Sequence, residues 1–233
     1  MGEVISLQEW RADRSRKSVG PAAFFYSLDC PISYLSAERV ERALGAVEWI
    51  PVVGPTSASS GIGSADERLN LAYELLAVAE RDARALSLPL VEPQVYPMES
   101  RRAARAAVWA GKHDRGPTFA LAVMRLAFCG GFDVSGDDVI GEAAAVSGLN
   151  PDHALDAARD YRHDYELEAT ASGLAAHGIP GPPAIRVGAH WFHGPDAVIA
   201  AVAYIAAQSR REIPRIDDDA EGERGDVPRL PVS

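Results

Sequence analysis

Hydrophobic positions follow three different rhythms along the chain. Near the N-terminus the run Ala22-Ala23-Phe24-Phe25-Tyr26-Ser27-Leu28 is short, aromatic and without helical spacing, and it stops at Asp29-Cys30-Pro31. This predicts a buried strand closed by a turn. From Pro31, the apolar residues Ile32, Leu35, Val40, Ala43 and Leu44 recur at helical spacing, with Glu38, Arg39, Glu41 and Arg42 between them and Gly45 as a stop. Proline fits a first turn, where its missing N–H has no intrahelical acceptor to lose. Val47-Glu48-Trp49-Ile50-Pro51-Val52-Val53 reads as a second strand, and 54–63 as a Gly/Ser/Pro loop.

The second rhythm begins at Ser64, which forms the sequence signature of a capping box with Glu67. Alanine-rich helical spacing then runs over 69–86, 100–111, 117–129, 139–147 and 151–173, interrupted by proline and glycine clusters. Asn150-Pro151 supplies a further N-cap with proline at N1, and Gly130-Gly131 closes the helix carrying Cys129. The third rhythm follows Gly178-Ile179-Pro180-Gly181-Pro182-Pro183. Ala184-Ile185-Arg186-Val187 and His190-Trp191-Phe192-His193 flank a Gly188-Ala189 turn, which predicts a hairpin, and 197–208 predicts a last helix. Segment 209–233 is charged and proline-bearing and reads as a flexible tail.

Composition narrows the partners. The 233 residues are 47% hydrophobic, enough for a packed core. With 33 acidic and 23 basic residues the formal charge is −10, which disfavours nucleic acid and anionic membrane surfaces and favours small molecules. No run of eighteen apolar residues exists, and residues 1–20 carry mixed charge with no secretory hydrophobic region, so a cytoplasmic protein with two free thiols is expected. Cys129, in a nearly continuous apolar helix, reads as core packing; it would be a resolving thiol only if the helical block folded over the Cys30 turn. The six histidines never adopt the i, i+4 pairing with an acid that marks a helical metal site, so no metal is expected. Gly61-Ile62-Gly63 lacks the rest of a dinucleotide fingerprint and reads as a loop.

Strand, Cys-Pro helix, strand, helical block, hairpin and helix is the element order of a thioredoxin-like fold with a large all-helical insertion. Two motifs carry a resemblance. Leu28-Asp29-Cys30-Pro31-Ile32-Ser33-Tyr34-Leu35-Ser36 resembles the active-site turn of the DsbA-like family, closest to kappa-class glutathione transferase and 2-hydroxychromene-2-carboxylate isomerase. Gly178-Ile179-Pro180-Gly181-Pro182-Pro183-Ala184 is similar to the family's loop whose last proline is cis, here Pro183. The resemblance covers roughly 22–207. It implies an α/β architecture with an N-terminal extension (1–20), a thioredoxin-like domain (21–63 and 178–208), a helical insertion domain (64–177) and a C-terminal tail (209–233), and it implies a homodimer.

The same resemblance assigns candidate sites. Cys30, at the start of a helix, would be an activated nucleophile, because unpaired amides and the helix dipole favour thiolate. Ser33 stands where a dithiol oxidoreductase carries its second cysteine, and a hydroxyl cannot resolve a mixed disulfide. In the two nearest relatives position 30 is a serine that hydrogen-bonds the thiolate of bound glutathione. Cys30 would either stabilise glutathione or another low-molecular-weight thiol in the same way or form a mixed disulfide with it. Pro182 and Pro183 would meet the cysteinyl part of that thiol, although Pro182 offers a carbonyl and no N–H. Asp196 matches an acid that in the relatives holds the γ-glutamyl amine, and is equally a carboxylate at a helix start. Arg101 and Arg105 share a helix face and would hold a substrate carboxylate or simply be solvated. The implied function is a thiol-dependent isomerase or transferase acting on a small aromatic or electrophilic substrate. The alternatives are a DsbA-like monothiol disulfide oxidoreductase and a noncatalytic binding member.

Overall fold

The computed structural model describes residues 21–57, 60 and 63–211. The predicted N-terminal extension, part of the Gly61-Ile62-Gly63 loop and the tail beyond residue 211 lie outside the described residues. Four strands form one mixed sheet in the order β2-β1-β3-β4. β1 (Ala22–Tyr26) pairs in parallel with β2 (Glu48–Pro51) and antiparallel with β3 (Ala184–Val187), which forms the expected hairpin with β4 (His190–His193). Between β1 and β2 lies α1 (Pro31–Leu44), stopped by Gly45 at φ 77°, a value only glycine adopts without strain.

The insertion comprises α2 (Ala65–Leu86), α3 (Arg101–Gly111), α4 (Gly116–Phe128), α5 (Asp137–Val146), α6 (Pro151–Arg159) and α7 (Asp164–Ala176). The sequence reads 151–173 as one helix, but the structure breaks it. The Asp160 side chain accepts from the Arg162 amide and starts a 3-10 turn, Tyr161–His163, before α7 begins. A short acceptor that can satisfy a free amide competes with continued helix, and here the competitor wins. The last helix, α8 (Ala197–Arg211), runs past residue 208 into the segment read as tail.

The two faces of the sheet are buried differently. Phe24, Tyr26, Ile185 and Val187 face a large core shared with α1, α8 and the insertion, through Ile32, Leu35, Val40, Phe119, Met124, Phe128 and Val198. Ala23, Phe25, Val52 and Ala184 face a smaller cluster closed by Leu174 and Ile179 at the end of α7. α1 is the hub: it packs on β1, α2, α4 and α8. Its residues 31–37 are all buried, so the turn that begins it is walled in by both parts of the fold.

At the outer end of α2 the capping box is complete: Ser64 Oγ accepts from the Glu67 amide at 3.2 Å and Glu67 accepts from the Ser64 amide at 2.7 Å. Ala72, Leu76, Ala79 and Ala83 then form the buried stripe of α2. Ser64→Ala is expected to lower the unfolding free energy by about 1 kcal/mol. The check is the urea midpoint at unchanged slope; an unmoved midpoint would mean the box contributes nothing to stability.

Candidate active site

Chain direction brings the site together at one end of β1. After Tyr26 the chain passes Ser27, Leu28 and Asp29, all buried, and enters α1 through Cys30 in extended backbone (φ −102°, ψ 116°) with Pro31 in the first turn. Cys30 is only 2% exposed. Its Sγ lies 4.0 Å from the carbonyl oxygen of Pro182, the long end of an S–H···O contact. The Pro182–Pro183 peptide bond is cis, and the Pro183 carbonyl accepts from the Gly194 amide at 2.9 Å, which fixes the loop to the hairpin. Ser33 Oγ accepts from the Ser27 amide at 3.2 Å and also acts on the Cys30 sulfur, as do the amides of Ser33 and Ile32.

The electrostatics reverse the expectation for Cys30. The amides and the Ser33 hydroxyl favour thiolate, but burial outweighs them and, with the neighbouring Asp29 carboxyl, pushes the thiol up to about 11. A dipole at a helix start is worth about 0.3–1 kcal/mol and reaches about 2 kcal/mol in favourable buried geometry. Full burial moves an ionisable group by as much as roughly 3–5 pKa units, each about 1.4 kcal/mol, so desolvation is the larger effect. Burial therefore works against the activated thiolate that the sequence suggests for Cys30.

Asp29 is a buried carboxyl beside the candidate site that motif reading passed over. It is 1% exposed. The Ser27 hydroxyl donates to one of its oxygens, and Thr56 Oγ1 donates to the other at 3.2 Å. Ser100, whose buried Oγ has no closer partner, is within reach of the same carboxyl. Burial raises the Asp29 pKa above the usual carboxylate range, and these donors offset that rise only in part. Gly54 presses on this group: a Cβ there would come within 2.8 Å of Ser27 Oγ and 2.9 Å of Asp29 Oδ1. The available signal was a carboxylate between Leu28 and Cys30, in a segment otherwise too apolar for a solvated charge.

The remaining candidates are placed elsewhere. Asp196 is exposed just before α8, where its charge is felt by Arg39 of α1. Arg101 and Arg105 do meet a carboxylate, but it is the chain's own Asp164. Arg105, buried, donates to both Asp164 oxygens at 2.8 and 2.7 Å and lies over the Tyr161 ring at 4.2 Å, while Arg101 is 3.4 Å from the same acid. That network pins α3 to the start of α7 and corrects the substrate-carboxylate assignment for Arg105. Cys129 is half-buried at the end of α4, packed against the edge of the main core, and its Sγ is 3.2 Å from the Tyr34 hydroxyl, which donates to the Pro89 carbonyl at 3.0 Å. Tyr96, on the segment before α3, completes the wall: its hydroxyl donates to the Ala72 carbonyl, and its ionisation is opposed by burial and by Cys30 and Asp29.

Among the described residues no group of three His, Cys, Asp or Glu side chains could hold a metal ion, and no helix is long and apolar enough to cross a membrane. No match to the chain was found among curated proteins. Solved structures share the fold. A 2-hydroxychromene-2-carboxylate isomerase superposes with TM-score 0.69 at 16% identity, covering 82% of this chain and 97% of that one. A probable DsbA oxidoreductase from Streptomyces coelicolor gives 0.60 at 19%, covering 89% and 99%. The cytosolic disulfide reductase DsbM from Pseudomonas aeruginosa gives 0.60 at 15%, covering 82% and 100%, and a structure of DsbM with GSH gives 0.57 at 16% over the same shares. The model of the DSBA-like thioredoxin domain matches residues 23–206, most of the chain including the Cys30 turn and the Pro182–Pro183 loop, and the chain belongs to that family.

Proposed function

We propose that this protein is a thiol-dependent isomerase or transferase for a small aromatic or otherwise electrophilic substrate, in which Cys30 donates its S–H to the sulfur of a bound glutathione-like thiol. The observation that carries this reading is the burial of Cys30 beside the Pro182 carbonyl, which pushes its thiol up and favours S–H. A cysteine only 2% exposed offers little approach to a folded protein's disulfide and suits a small ligand better. Ser33 in place of a second thiol removes the means of resolving a mixed disulfide. An S–H group occupies the place of the serine O–H in the isomerase and kappa-transferase relatives and supplies the same single donor, more weakly.

The residues fit a small thiol in part. Cys30 Sγ–H and the amides of Ile32 and Ser33 gather positive charge at one point, as a thiolate requires. Pro182 can accept from the ligand's backbone but cannot donate to it, so one of the two usual pairings is missing. A bound thiol supplies the nucleophile that adds to the electrophilic carbon. The protein's part is to hold that sulfur as thiolate and to keep water from it. A DsbM structure with GSH supports the choice of ligand class. The alternative, monothiol disulfide exchange through Cys30 itself, draws support from the same two amides.

Two measurements separate these readings. With glutathione and 1-chloro-2,4-dinitrobenzene as probes, Cys30→Ser is expected to keep turnover within about tenfold of the parent, whereas Cys30→Ala loses about a hundredfold or more, the scale of one donor to a developing anion. Equal loss in both variants would make Cys30 the covalent nucleophile and defeat the donor reading. Independently, in a Cys129→Ser background, iodoacetamide labelling of Cys30 should climb about tenfold per pH unit from pH 7 to 10 without levelling off, because the reactive thiolate forms only near pH 11. Levelling off below about pH 8.5, the range of a free cysteine, would favour disulfide exchange.

A further inference from the structure

Asp29 is harder to explain than any other buried group in the molecule. Carboxylates are almost never fully buried unless paired with a cation. The donors around this one are neutral: the Ser27 hydroxyl on one oxygen, Thr56 on the other, Ser100 within reach, and its own backbone amide. Three separate segments nevertheless converge on it: the end of β1, the Gly54-to-Ser57 loop, and the Ser100 position that opens α3. Gly54 leaves no room for even a methyl group against it. Its chain neighbour is Cys30, whose sulfur faces a carbonyl oxygen on the other side.

Hydroxyl donors stabilise a carboxylate more than a carboxylic acid, so a cage made of them favours the ionised form that burial opposes. A negative charge held one residue from a thiol, with little water to screen it, favours the neutral S–H over thiolate. The Pro182 carbonyl, whose negative end faces the sulfur, acts in the same direction. The titratable groups facing this pair are Asp29 and Cys30 themselves, on the turn before α1, and Tyr96, from the segment before α3. Arg39 of α1 feels the charges of Asp82 on α2 and Asp196 before α8.

We propose that Asp29, caged by Ser27 and Thr56 against Gly54, is a positioning residue that keeps Cys30 as an S–H donor and so holds the site away from disulfide chemistry. This rests on the donor reading of Cys30 given above and adds the residue that enforces it. Removing the charge would turn the same turn toward the reactive cysteine that its helix-start position suggests. The Ser27 and Thr56 hydroxyls act only through the carboxyl, so their loss would have the same sign and a smaller size.

The test is the pH profile of Cys30 labelling by iodoacetamide in the full chain with Cys129→Ser, comparing the parent, Asp29→Asn and Thr56→Val. A high midpoint in the parent tests the donor reading; the difference between parent and variants tests the role of Asp29. Asp29→Asn is expected to lower the midpoint by about one pH unit or more and to raise the labelling rate at pH 8 about tenfold. Thr56→Val should move it the same way by less. Near-UV circular dichroism checks that the fold is retained, and Asn for Asp and Val for Thr keep the side-chain volume, so neither variant opens a cavity that would expose Cys30 and lower the midpoint by hydration alone. An unmoved or raised midpoint in a folded Asp29→Asn would overturn the proposal. Should that variant fail to fold, an unmoved Thr56→Val midpoint overturns it instead.

Discussion

The first turn of α1 is enclosed by β1 beneath it, α2, α4 and α8 around it, and the Pro182–Pro183 loop over its tip. A helix N-terminus has amides with no intrahelical acceptor, and burial removes the water that would otherwise take them. Here Pro31 has no N–H to satisfy, Tyr34 bonds back to the Cys30 carbonyl at 3.1 Å, and the amides of Ile32 and Ser33 are left facing the sulfur. Those amides form no cap bond of ordinary length with Cys30, so a thiol tolerates the arrangement because sulfur is large, polarisable and a weak acceptor. The packing of the whole fold thus sets the electrostatic state of one atom.

Two opposing effects meet at that atom, and their sizes differ. The helix start draws negative charge to the sulfur, as it does wherever a cysteine opens a helix. Desolvation acts on the sulfur from all directions, and the Asp29 carboxyl adds to it. A motif of Cys-Pro at a helix start therefore specifies geometry reliably and reactivity poorly. Reactivity is decided by how much protein stands over the sulfur, which is a property of the insertion and the loops.

The elements were legible because each has a local cause: a short aromatic run for β1, the capping box for α2, Asn150-Pro151 for α6, the Gly188-Ala189 turn for the hairpin. The break at Asp160 was hidden because alanine-rich spacing continues through it, and only the side chain's bond to the Arg162 amide reveals it. In the site, Cys30, Ser33, Pro182 and Pro183 lie together as the motifs suggest. Asp29 was overlooked because in sequence it looks like a turn residue. Arg105 was misread because its partner, Asp164, is 59 positions away and no local pattern announces it. Cys129 took its expected burial from the apolar run before it, yet it is the last residue of that run, at the helix end, where the Tyr34 hydroxyl reaches it.

Positions that break a local rule with no gain in packing are where function is to be sought. Pro182 lacks the donor that an extended ligand backbone would use, and Asp29 is a carboxyl where an apolar residue would pack at lower cost. Neither helps the fold: Pro182 contributes no ladder bond, and burying Asp29 requires three hydroxyls and a glycine that a leucine would not. Both act on the sulfur of Cys30, one by facing it with a carbonyl and the other by holding charge beside it. A cysteine meant for disulfide exchange would be better served by a donor at 182 and an apolar residue at 29. The two departures share a direction, toward a sulfur that keeps its proton, and this makes them more informative together than either is alone.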